Sequence, residues 1–332
     1  MSDQNNMTPI IGLTSTIPVE IIFAAGLTPV DLNNLFIASD KPELMVKQAE
    51  SAGFSHNICA WIKGIYSAAL NNKMEQVIAV TGGDCSNTIA LAEILSRKGV
   101  RIISFEYPLN RDREFLASQM DRLRVSLSTT WDKIQKTKLK LDRIRAKLKE
   151  VDRLTFEGNV VTGLENHLFL VGSSDFRSDP DQYEKDLDSF IEKAAKRSPR
   201  KDEIRLGYLG VPPIFMDFYE FIESMGGRVV FNEVQRQFSM PYPCEDIVDQ
   251  YLNYTYPYDI GGRIADIKRA VKERRLDGLI HYTQTFCFRQ LYDMIIRENS
   301  PVPVLTLEGD RPGKIDSRIA LRIETFIEML KG

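Results

Sequence analysis

Residues 76–105, QVIAVTGGDCSNTIALAEILSRKGVRIISF, decide the fold. Gln76 to Val80 is a short apolar run, the pattern of a strand covered on both faces. A Gly-Gly turn follows, then a helical pattern from Asn87 to Lys98. Arg101 to Phe105 is a second strand of the same kind. Strands alternating with helices imply a largely parallel sheet with both faces covered.

The alternation extends upstream. Ile10 to Leu13 is apolar and enters a Thr/Ser-rich turn. Pro18 stands where a helix would begin, with Glu20 in its first turn, the favourable end of the helix dipole for an acid. That helix should run through Ile21, Ile22 and Phe23 and stop at Gly26. Thr28 to Val30 is a second short strand, and helical stretches follow near 41–51 and 57–70. The last third repeats the theme. Strands are expected at Ile204 to Leu209, Arg228 to Phe231, Leu276 to Tyr282 and Val302 to Leu307, with helices over 214–225, from Phe286, and over 315–330. The expected fold is α/β: two Rossmann-like parallel-sheet lobes, residues 1–108 and 201–332, flanking a helical insertion over 109–200. The site is expected in the crevice between the lobes, because open parallel sheets bind ligands beyond the C-terminal ends of their strands.

The middle has a different period. From 116 to 151 a seven-residue repeat places Met120, Leu127, Ile134, Leu141 and Leu148 on one seam position. Leu116, Leu123, Thr130, Thr137, Ile144 and Val151 fill the other. This is the pattern of one long helix. Lys133, Lys136, Lys138, Lys140, Arg143 and Arg145 are expected to form mostly a solvated face. The seam either packs on the rest of the chain or makes a dimerising coiled coil. Polar Thr130 and Thr137 favour the first. A further helix is expected over 179–197.

The 332 residues are 43% hydrophobic and 27% charged, with net charge −3, which suits a soluble protein large enough for two cores. There is no basic excess to attract nucleic acid or an anionic membrane. Residues 1–8 are polar and carry no signal-peptide pattern, and no apolar run approaches the ~20 residues of a membrane span, so a cytoplasmic protein is expected.

There are four cysteines, Cys59, Cys85, Cys244 and Cys287, with no C-x-x-C pair. Local zinc and ferredoxin patterns are therefore absent, and any metal site must be assembled by the fold. Cys85 follows the strand at 76–80 in a Gly-Gly loop that opens a helix. Cys287 follows the strand at 276–282, and Cys59 sits at a helix start, where a thiolate is favoured. Three thiolates facing one crevice could hold three irons of a cubane and leave the fourth open. The plainer alternative is that free cysteines pack as small hydrophobes, and Cys244, which begins a different helix, fits it. Ser15, Glu106, His281 and Gln284 are further candidates to line the site. His56 and His167 are the remaining histidines. Gly12 to Thr16 could cradle an anion but matches neither G-x-G-x-x-G nor G-x-x-x-x-G-K-S/T, and no G-x-S-x-G occurs.

Ile17-Pro-Val-Glu-Ile-Ile-Phe-Ala-Ala-Gly-Leu-Thr-Pro-Val30 resembles the opening of the 2-hydroxyacyl-CoA dehydratase D-component family. Cys59-Ala-Trp-Ile-Lys-Gly64 is similar to that family's first cluster-cysteine block, and Cys85 to its second cysteine. Leu276 to Tyr282 with Phe286-Cys287 resembles the block carrying the third. Val302 to Glu308 and Arg318 to Leu330 resemble its closing strand and helix. The family also holds benzoyl-CoA reductase subunits and double-cubane proteins. The resemblance implies a 4Fe–4S cluster on Cys59, Cys85 and Cys287 with one iron open. It implies an ATP-dependent activator of the acetate-kinase/sugar-kinase fold as one-electron donor, and a paralogous subunit or a second copy as dimer partner. The reaction would be radical dehydration or reduction of an acyl-CoA. A small-molecule reductase without CoA is the alternative, with an 8Fe–9S double cubane shared between chains, since four cysteines are too few for two cubanes in one. A metal-free two-lobe binding or assembly protein is the third reading. Ser86 departs from the aspartate usual in dehydratases, and Thr14-Ser15-Thr16 from their Cys/Ser-Tyr-Val.

Overall fold

The computed structural model describes residues 8–201 and 203–332. The polar start, Met1 to Met7, lies outside them. The elements run β1 (Ile10–Leu13), α1 (Val19–Ala24), β2 (Thr28–Asp31), α2 (Leu32–Ile37), α3 (Pro42–Ser51), α4 (Ala60–Asn71), β3 (Gln76–Gly82), α5 (Asn87–Arg97) and β4 (Arg101–Glu106). Four helices follow: α6 (Arg113–Ser126), α7 (Trp131–Phe156), α8 (Gly163–Gly172) and α9 (Pro180–Ala194). The rest comprises β5 (Ile204–Leu209), α10 (Phe218–Ser224), β6 (Gly227–Asn232), α11 (Glu233–Phe238), α12 (Ile247–Leu252), α13 (Ile260–Arg274), β7 (Gly278–Gln284), α14 (Tyr292–Asn299), β8 (Val304–Gly309) and α15 (Ser317–Lys331).

Two four-stranded parallel sheets result, in the orders β2-β1-β3-β4 and β6-β5-β7-β8. The expected α/β class with two parallel sheets is observed. The deciding stretch pairs as expected, Gln76 with Arg101 through Val80 with Phe105. In both sheets the strand order reverses between the first and third strands, so each has its ligand-binding switch point there. Among the described residues no helix is long and apolar enough to cross a membrane.

The heptad stretch is not one helix. It breaks after α6, where Ser128 takes φ +54°. Thr130 then caps α7, its Oγ1 accepting from the Lys133 N–H. Thr130, which as a seam residue looked merely weak, is in fact a helix start, because a β-branched hydroxyl serves an N-cap better than a helix interior. The seam residues Ile134, Leu141, Ile144, Leu148 and Val151 are buried within the chain. The helix packs on its own protein.

The basic face also needs correcting. Lys133, Lys136 and Arg143 are exposed, but Lys138 and Arg145 are buried, and with Asp152 they form a buried polar stripe at seven-residue spacing. Lys138 Nζ donates to Asp142 (2.6 Å) and to the Cys244 carbonyl (2.5 Å). Arg145 Nη1 lies 2.7 Å from Glu20 on α1, and Arg274 on α13 lies 2.6 Å from Asp152. Burial alone would raise both carboxyls, but Arg145 holds Glu20, and Arg274 holds Asp152, below their ordinary range. Tyr251 and Gln250 on α12 also donate to Glu20. The helix therefore fastens α1, beside the first sheet, to α13, beside the second.

Removing one partner of a buried pair strands the other charge, which costs about 3–5 kcal/mol. Asp152→Ala should lower unfolding stability in urea by about that much. Asp152→Ala with Arg274→Met together should cost clearly less, and equal losses would show that the pair is not what the position requires.

Candidate functional site

The C-terminal ends of both sheets open on one cavity of about 130 Å³. Each switch point supplies two loops to it. Thr14, Ser15 and Thr16 follow β1, and Asp84 and Cys85 follow β3. Val211, Pro212 and Pro213 follow β5, and Cys287 follows β7. Cys59, Trp61, Ile62 and Ile65 of α4 and its cap complete the cysteine side. Asp31, Asn33, Asn34, Ile37, His167, Val171 and Phe238 form much of the remaining wall.

Local chemistry sets each cysteine. Cys59 is the N-cap of α4, which lies against α2 so closely that a Cβ on Gly64 would meet the Phe36 ring at 2.2 Å. Lys63, fully buried, donates to Glu50 (2.7 Å) and to the His56 carbonyl (3.0 Å), pinning the segment that leads into Cys59. Arg311, from beyond β8, reaches the same Glu50 oxygen at 2.7 Å. Cys85 follows Gly83, whose φ of +85° and contact with Pro257 leave no room for a side chain. Cys287 caps the 3-10 turn Phe288–Leu291.

The three sulfurs are sheltered and influence one another. Burial pushes the Cys59 thiol up to about 11, with the backbone N–H groups of Trp61 and Ile62 beside it opposing the rise. Burial, then the Asp84 charge, pushes Cys85 up to about 12 against the Asn87 N–H. Cys287 is raised by burial, against the Arg289 N–H. Without metal all three stay protonated at neutral pH. Metal binding would displace those protons, and the N–H groups would then face thiolate. Among the described residues no three His, Cys, Asp or Glu side chains gather closely enough to hold a single metal ion. A lone ion with sulfurs at about 2.3 Å needs a tighter group than a multi-iron core does.

Of the other expected residues, Ser15 and Gln284 line the cavity. Gln284 is held there by the Tyr282 hydroxyl (2.7 Å) and the Asp310 carbonyl (2.8 Å). His281 lies in a smaller neighbouring cavity, with Nδ1 2.7 Å from Asp293. Glu106, at the end of β4, faces Thr81 outside the main cavity. Cys244 also lies apart, its Sγ accepting from Asn253 at 3.2 Å. His56 lies at the surface, its Nδ1 2.6 Å from Arg311 Nη2.

Several lining residues were not anticipated. Asp31 ends β2, a carboxylate at a strand end that the sequence could have signalled, as could Asp84 between Gly83 and Cys85. His167 had no such signal. Its Nδ1 and the Trp61 Nε1 are buried without a hydrogen-bond partner among the described residues. Burial keeps His167 neutral by pushing its pKa down to about 3. Asp31 is raised by burial and is fixed by Asn33 (2.9 Å), and its N–H donates to Asp175 at 2.8 Å. Burial and then the Asp31 charge push Asp175 up to about 7.

A model of the family described as 2-hydroxyglutaryl-CoA dehydratase, D-component, matches residues 14–330, nearly the whole chain. No curated protein matches it.

Asp175 titrates near 4 when unfolded and near 7 when folded, so between those values the folded chain holds a proton the unfolded chain has lost. Its contribution is full at low pH and fades as pH rises toward 7. Asp175→Asn keeps the acceptor for Asp31. Relative to the unsubstituted protein, its urea stability should improve from pH 5 to pH 8 by on the order of 2 kcal/mol. A constant difference would mean that Asp175 is ionised throughout.

Proposed function

Because the chain belongs to the 2-hydroxyglutaryl-CoA dehydratase D-component family, we propose that this dehydratase-type component is the iron–sulfur subunit of a dehydratase or reductase acting on an acyl-CoA. Cys59, Cys85 and Cys287 would hold a 4Fe–4S cluster with one iron open to the cavity. The observation that carries this reading is the meeting of these three cysteines, from three distant segments, at the edge of one sheltered cavity. The residues suit the group: sulfur donors, backbone N–H groups beside each sulfur, and polar atoms of Trp61 and His167 without partners among the described residues. Such a cluster supplies one electron at low potential and a Lewis-acidic iron.

The chain's own share is shelter and orientation. Ile37, Ile62, Ile65, Val171, Val211 and Phe238 keep the walls apolar, which excludes water and suits an acyl chain. Ser15 and His167 offer hydrogen bonds to a polar group of the ligand. An ATP-driven activator of the acetate-kinase/sugar-kinase fold would deliver the electron, and a paralogous subunit or second copy would complete the enzyme. One observation favours the second reading, reduction of a small molecule without CoA. A cavity near 130 Å³ is about the size that admits a benzene ring, so the ligand's reacting part must be compact.

Iron and acid-labile sulfide per chain, on protein made without oxygen, test the proposal. About four irons are expected. Cys59→Ala, Cys85→Ala and Cys287→Ala should each lose most of the iron, and Cys244→Ala should keep it. About eight irons would favour the double cubane. No iron at all, in cells able to build clusters, would leave the metal-free binding reading.

A further inference from the structure

Six arginines are almost fully buried: Arg145, Arg228, Arg236, Arg263, Arg274 and Arg289. The first five each form an ion pair, with Glu20, Glu203, Asp266, Glu233 and Asp152 respectively. Arg289, 7% exposed, forms none among the described residues. A buried cation without a counter-charge is strongly unfavourable, and proteins keep one only where something compensates it.

Its surroundings point to that compensation. Arg289 stands two residues after Cys287, and its Nη2 donates to the carbonyl of Gly83 at 2.7 Å, two residues before Cys85. The side chain therefore spans the two cysteine loops, one from each sheet. Its guanidinium lies 4.3 Å from the Tyr256 ring centre, and Tyr256 itself lines the cavity. Nε and Nη1 are buried and have no hydrogen-bond partner among the described residues. Asp84, in the loop with Gly83, feels the Arg289 charge, which opposes the rise that burial causes in its carboxyl, but among the described residues it lies beyond ion-pair distance. Tyr256 and Phe288 supply ring faces, which attract a cation but do not neutralise it.

We propose that Arg289 is the counter-charge of the loaded site, the fixed cation that offsets the negative charge of three thiolates and their cluster and eases its reduction. This rests on the iron–sulfur reading. Three thiolates bring more negative charge than the metal core cancels, and an added electron increases the excess. In a site shielded from water, a fixed cation nearby favours the reduced form. Arg289 acts on the cluster through its field and through the Gly83 bond that sets the spacing of the loops. It is a positioning residue and donates no proton.

The test compares the unsubstituted protein with Arg289→Gln and Arg289→Lys, all made without oxygen. Iron and sulfide are measured first, then the midpoint potential by redox titration followed by EPR. At equal iron content, Arg289→Gln should be reduced at a lower potential. Its reduction equilibrium should be poorer by about tenfold or more, which is about 59 mV for one electron. Arg289→Lys, which keeps the charge, should stay near the unsubstituted value. Equal potentials in all three would overturn the inference and leave the cluster reading standing. An iron-free unsubstituted protein would overturn the cluster reading itself. A folded Arg289→Gln without iron, beside an Arg289→Lys that binds it, would support the charge requirement. Both variants folded and iron-free would refute it and leave only the Gly83 bond. Arg289→Met repeats the neutral test should the Gln variant not fold.

Discussion

Two buried ion pairs on one helix hold the architecture in register. Arg145 and Asp152 are seven residues apart on α7, two turns along one face and about 10 Å along its axis. One reaches Glu20 beside the first sheet and the other Arg274 beside the second. Such pairs add little net stability over an apolar replacement, but each is unfavourable to break, so each admits one geometry. The cavity needs this. Cys59 and Cys85 hang from the first sheet and Cys287 from the second. Their mutual distances are set by how the two sheets are held, since no short stretch of chain joins them.

Much of the fold was legible because its signals are local. The apolar runs at 76–80 and 101–105 became β3 and β4 in the expected register. Cysteines following strands and opening helices could be recognised as candidates from position alone. Other features were not legible, for physical reasons. The heptad count runs through Leu127 to Thr130 without a gap, yet the chain turns there, because periodicity records which side chains are apolar and not where the backbone is capped. Lys138 and Arg145 read as solvated because the partner that buries Arg145, Glu20, lies far away in sequence. The short helices α2, α11 and α12 have too few turns to show a period. The starts of α2 and α12, like the Thr162–Glu165 capping box that opens α8, are set by single capping side chains, Asp31 for α2 and Asp246 for α12.

The site combines two opposed demands. Burial makes thiols poor acids, as Cys59 and Cys85 show, while ligation requires thiolate. In the proposed cluster site, helix N-termini and a nearby cation would answer the second demand without admitting water. Burial likewise opposes ionisation of Asp31, which lines the cavity, and of Asp175 behind it, whose carboxyl accepts from the Asp31 N–H.

The common strand order of the two sheets has a further consequence. The third strand of each, β3 and β7, is followed by a cysteine, Cys85 and Cys287. The helix that precedes β3, α4, begins at Cys59 on the cavity wall, and the segment leading into α13, the helix that precedes β7, brings Tyr256 there. Architecture repeats where ligands do not: a frame with four equivalent corners presents three sulfurs and one phenol. The asymmetry gives the cavity a direction, two sulfurs from the first sheet's side facing one sulfur and a phenol from the second's, within a scaffold whose backbone repeats.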